Sequence, residues 1–137
     1  MPAETGIPTP MKTVLAIAGT LVGSLISLLS SLVWFFNLTH HDPWLPASPV
    51  YIAATALFGV VLSGVGGCAG AVIARGSERG AGDAIAAITM LLAAWSWWES
   101  PGQAHWSQPI AIFLMAPAAV LGSRLLAARR PRPATSR

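Results

Sequence analysis

VLAIAGTLVGSLISLLSSLVWFFNL, residues 14–38, runs for twenty-five positions without a charged side chain. As a helix it would extend roughly 37 Å, enough to cross a hydrocarbon core of about 30 Å with some tilt. Its two sides differ. At about 100° per residue, Ala16, Gly19, Thr20, Gly23, Ser24, Ser27, Ser30 and Ser31 share a wedge of roughly 140°, and large aliphatics such as Leu21, Leu25, Leu28 and Leu29 fill the remainder. Lipid is as apolar as leucine, so such a helix gains from pressing its small stripe, not its leucines, against a neighbour.

The rest of the chain repeats this design. Ser48-Pro49 reads as an N-cap and a first-turn proline. The second helix, about 50–74, aligns Gly59, Ser63 and Gly67 at four-residue spacing, which allows close backbone approach. A third helix is expected over about 82–98 and a fourth over about 108–126. Pro117 lies inside the fourth and should kink it, because the Phe113 carbonyl loses its helical donor. The stretch 75–83, with Arg75, Glu78, Arg79 and three glycines, reads as a turn. The expected fold is an all-α integral membrane protein, a four-helix transmembrane bundle of two antiparallel hairpins over residues 11–127. Residues 1–10 and the basic stretch 128–137 are expected to be disordered cytoplasmic tails. The first helix resembles a signal peptide only superficially. Its apolar part is too long and lacks a small-x-small cleavage site before Trp34, so it is read as a retained anchor.

Charge supplies the orientation. The eight basic residues, Lys12, Arg75, Arg79, Arg124, Arg129, Arg130, Arg132 and Arg137, all fall on one side of a four-span arrangement. The positive-inside rule then puts both termini and the 75–83 turn in the cytoplasm. Arg129, Arg130 and Arg132 would meet anionic lipid, and no nucleic-acid partner is expected. Apolar residues are 54% of the chain and charged residues 9%, against about 25% charged in soluble domains.

Chemistry is sparse. No ionisable side chain stands near the middle of any span, where proton relays and ion-coupled transporters place one. Cys68 is the single cysteine, which excludes an internal disulfide and a cysteine metal cage, and packing is its expected role. His40, His41, Asp42 and His105, with Glu99, are the candidate metal or pH-responsive residues of the outer face. Their spacing lacks the i, i+4 pair of a helical metal site, and a solvated loop is the plainer reading. The hydroxyl line Thr20, Ser24, Ser27 and Ser31 could line a polar path or a cleft, although hydroxyls between helices more often serve as interhelical hydrogen bonds. Gly19, Gly23, Ser27, Gly59, Ser63 and Gly67 are the expected packing positions.

A weak echo links the two halves. Each outer connection follows an aromatic cluster, holds His and Trp, and leads into a Ser and Pro helix start, a pattern that duplication or shared membrane constraints would both produce. In size alone the chain resembles small multidrug-resistance transporters and bacterial fluoride channels; the first would need a glutamate inside helix 1, where none stands, and neither family is assigned. No catalytic constellation or cofactor motif occurs. The functional expectation is a non-enzymatic accessory or structural membrane subunit acting through helix packing. The alternatives are a channel or transporter made by a homo-oligomer, and an outer-face metal or pH-responsive binding protein.

Overall fold

Proline begins the first helix instead of delaying it. In the computed structural model, which describes residues 6–131, α1 spans Thr9–Leu38, with Pro10 in its opening turn. There a missing N–H costs nothing, because the first helical donors have no partner anyway. The helix thus starts three residues before the expected position 12, inside the stretch read as a tail. Its last six residues, Val33–Leu38, are π-helical. The Trp34 carbonyl accepts both the Thr39 N–H at 3.0 Å and the Thr39 hydroxyl at 2.8 Å, which ties off the widened turn.

Three further helices follow: α2 Pro49–Ile73, α3 Glu78–Glu99 and α4 Ser107–Arg129. All four are long and apolar enough to cross a membrane, and no strand occurs among the described residues. The α2 start is as expected, with Ser48 Oγ accepting from the Tyr51 N–H at 3.2 Å. The α4 start is not, because Ser107 Oγ donates to its neighbour Gln108 Oε1 and caps no backbone donor. Within α4, residues Ala111–Met115 are π-helical just ahead of Pro117. The expected disruption at the proline takes the form of a wide turn, in which the Ala116 N–H reaches the Ala111 carbonyl. Widening a turn is a known way to absorb a helix irregularity.

The expected turn at 75–83 shrinks to residues 74–77. Gly76 adopts φ 82°, and the Ser77 N–H returns to the Ala74 carbonyl at 2.8 Å. Gly80 and Gly82 belong to α3. Gly82 is glycine for a packing reason, since a Cβ there would coincide with the Ser123 hydroxyl of α4.

Glycines bring the helices close along three seams. A Cβ on Gly66 would lie 2.7 Å from the Gly23 carbonyl oxygen, and one on Gly70 2.8 Å from that of Gly19. Further along the same α1–α2 seam, Ser27 Oγ donates to Ser63 Oγ at 3.1 Å, and Ser63 passes the chain on to the Met115 carbonyl at 2.7 Å. Gly67 and Gly122 make the α2–α4 seam, against Ala119 and Gly64. Gly82 makes the α3–α4 seam. The fully buried Ile85 of α3 fits between Gly23 and Gly70 and draws α3 onto the first seam. Leu25, Leu29, Val61 and Val65 stay about half exposed on the outside.

At the end holding the 74–77 turn, the Arg130 guanidinium pairs with Glu78 and reaches the Ala71 and Val72 carbonyls of α2, each at 3.4 Å. A cation on the last carbonyls of a helix complements its dipole. α4 continues to Arg129, past the expected residue 126, and Arg130 packs on the end of α2; Arg132 lies outside the described residues. Arg130→Ala should lower stability by about 1 kcal/mol, read as a fall in melting temperature in detergent, whereas Arg129→Ala at an exposed position should leave it unchanged.

Candidate binding site

The opposite end is closed by aromatic side chains and by two hydrogen bonds between its loops. The 39–48 and 100–106 loops meet where the Ala104 N–H donates to the Trp44 carbonyl at 3.1 Å, and Trp106 Nε1 donates to the Leu45 carbonyl at 2.9 Å. Aromatic rings fill the space beneath. Trp34 stacks on Phe58 with centroids 4.4 Å apart, His41 stacks on Tyr51 at 4.5 Å, and Trp106 meets Tyr51 edge-on at 5.8 Å.

Below this roof lies a cleft of about 350 Å³. Ile85 holds α3 against α1 further down the bundle; above it, Ser27, Ser31 and Phe35 of α1 face Thr89, Leu92 and Ser96 of α3 across open space. Thr55, Phe58 and Gly59 of α2 and Gln108, Ala111 and Met115 of α4 make the back wall. Of the exposed members of the lining, Leu28, Leu32 and Phe36 on α1 and Leu92 on α3 mark its mouth on the side of the bundle, and Trp44 lies in the roof loop. The Ala111–Met115 π-segment forms part of the wall, and π-turns recur at functional sites.

No lining residue is ionisable, so the lining holds none of the titrating side chains that serve as general acid or base. Most of its hydroxyls are already engaged. Ser31 and Thr89 bond to carbonyls of their own helices, at 3.1 and 2.9 Å, and Thr55 Oγ1 accepts the Trp34 indole N–H at 2.9 Å. Gln108 is different. It is 3% exposed, takes the Ser107 hydroxyl on Oε1 at 3.2 Å, and donates to Ser96 Oγ at 3.4 Å.

The expected packing residues Gly19, Gly23, Ser27, Gly59, Ser63 and Gly67 are all buried. Of the hydroxyl line, only Ser27 and Ser31 border the cleft; Thr20 does not, and Ser24 Oγ is buried without a partner. Cys68 Sγ contacts the Gly122 carbonyl at 3.2 Å in the α2–α4 seam. The residues expected on an outer face are used locally. His41 Nδ1 lies 2.9 Å from the Asp42 carbonyl, Asp42 Oδ1 accepts the Trp44 N–H, His40 takes a left-handed φ of 51°, and His105 stacks on Trp97 at 5.2 Å. Among the described residues, no three His, Cys, Asp or Glu side chains are grouped to hold a metal. Sequence reasoning missed Gln108 because Ser107-Gln108-Pro109 looks like a helix start. The available signal was a primary amide at the head of an otherwise apolar helix.

Compared with protein-family models, curated proteins and solved structures, the chain matches none.

Proposed function

We propose that the chain is an integral membrane protein crossing the bilayer four times as two antiparallel hairpins, with both termini cytoplasmic, and that it acts without catalysis as an accessory subunit. The observation that carries this reading is the pairing of small residues within one copy. Gly19 meets Gly70, Gly23 meets Gly66, and Ser27 meets Ser63. Partner numbers fall as the α1 number rises, which supports antiparallel packing. Burial of the small faces with leucine and valine left outside supports a lipid surround. The basic residues at the end opposite the cleft support the orientation. With its small faces used internally, the bundle offers other molecules its aliphatic surface, the exposed Arg129 for anionic lipid, and the cleft.

Cysteines introduced as Ala47→Cys and Gln103→Cys, in a Cys68→Ala background, should react with an impermeant thiol reagent added outside intact cells. Ser136→Cys, beyond the described residues, should react only after permeabilisation. Purification in mild detergent should then recover a second membrane protein at fixed stoichiometry. Outside labelling of Ser136→Cys would overturn the orientation, and a partner-free oligomer that conducts ions in liposomes would replace the accessory role with a channel.

A further inference from the structure

We propose that the cleft is a binding site for an uncharged, lipid-soluble molecule that carries a carbonyl group, with Gln108 as its hydrogen-bond donor. The inference rests on the membrane reading above. A primary amide has two N–H donors. On Gln108 one of them reaches Ser96 Oγ, at the long distance of 3.4 Å, and the second has no acceptor among the described residues. A spare donor on a side chain 3% exposed in an apolar cleft is costly unless something accepts from it. A ligand carbonyl in the cleft would do so.

The remaining wall defines the ligand body. With no ionisable lining residue, a charged ligand would lose its hydration without gaining a counterion. The Trp34 ring is fixed by its bond to Thr55 and its stacking on Phe58 and Tyr51, and with Phe35 and Phe58 it gives the cleft an aromatic lining suited to another ring. Met115 adapts on the far side. The volume, about 350 Å³, falls at the lower end of small-molecule sites, so the ligand is small and cyclic. An acyl chain could enter the same space but would leave the Gln108 N–H without a partner.

Benzophenone is a neutral, two-ringed ketone that crosslinks on illumination, so it tests the site directly. The full chain in phosphatidylcholine vesicles should be photolabelled saturably, with the adduct mapping to Met115 or Leu92. Unlabelled benzophenone should compete at least five times better than diphenylmethane, which has the rings without the carbonyl. Gln108→Met, which keeps length and loses the donor, should weaken labelling about tenfold. Unsaturable labelling, or equal competition by the two compounds, would mean that bulk lipid fills the cleft and would overturn the proposal. If Gln108→Met fails to fold, the competition on the unaltered chain still decides. Thiol labelling of Gln103→Cys in separate vesicles reports the membrane reading on its own, so failure of the site and failure of the topology are told apart.

Discussion

Gly67→Ala should destabilise the bundle by about 3 kcal/mol, although it adds a single methyl group. The new Cβ would overlap the Ala119 carbonyl oxygen and lie 2.8 Å from its carbon and 2.9 Å from its Cα. All three atoms are backbone, so no rotamer change relieves the clash and α4 has to move away from α2. Gly64→Ala, one turn earlier on the same helix, is the control. Its Cβ would find only the Ala118 oxygen, at 3.7 Å, an ordinary contact, and alanine is the better helix former. It should be neutral or slightly stabilising. Gly59→Ala falls between, because its nearest atoms, 3.0 and 3.1 Å away, belong to the flexible Met115 side chain. Melting temperatures in one detergent would rank the three. Equal shifts for Gly67→Ala and Gly64→Ala would remove backbone contact as the source of stability.

Gly82→Ala should cost about 2 kcal/mol, and a second substitution should recover most of it. The obstructing atoms are the hydroxyl and Cβ of Ser123, itself fully buried, while the nearest backbone atom, the Ala119 oxygen, is a comfortable 3.5 Å away. Ser123→Gly removes the obstruction and forfeits the Ser123 bond to the Val120 carbonyl. The double variant should therefore be more stable than Gly82→Ala alone, with a coupling of about 1.5 kcal/mol in the double-mutant cycle. Additive losses would show that Gly82 is not packed on Ser123.

These two glycines show where the sequence was legible. Residues 14–38 declare a long apolar helix because composition and length suffice, and the Gly59, Ser63, Gly67 spacing exposes a packing stripe because periodicity is a local property. Gly82 was read as the junction of the 75–83 turn and the third helix because a glycine needed for close contact and one needed for a positive φ look alike in one dimension. Of the three glycines in 75–83, Gly76 alone has the positive φ of a turn. Thr9 as a helix start was hidden by Pro8 and Pro10, whose role depends on which side of the first turn they occupy. The cleft was least visible. It exists because Ile85 holds α3 to α1 at one level while nothing comparable does so near Ser96, and that divergence is a property of four helices together. Ser27 and Ser31 border it, yet Gln108, its one primary amide, carried no periodic signal.

The joined loops have a consequence for dose. In the membrane reading proposed above, with Trp44 bonded to Ala104 and Trp106 to Leu45 across the roof and the mouth on the flank, a visitor to Gln108 would travel through the hydrocarbon and not from water. Occupancy then follows how strongly the molecule dissolves in the membrane. Each methylene favours hydrocarbon by about 0.8 kcal/mol, close to a fourfold enrichment. In a homologous series of alkyl aryl ketones, apparent potency measured in water should therefore climb about fourfold per carbon even where the added carbons touch nothing, and should level out once concentration is expressed per volume of lipid.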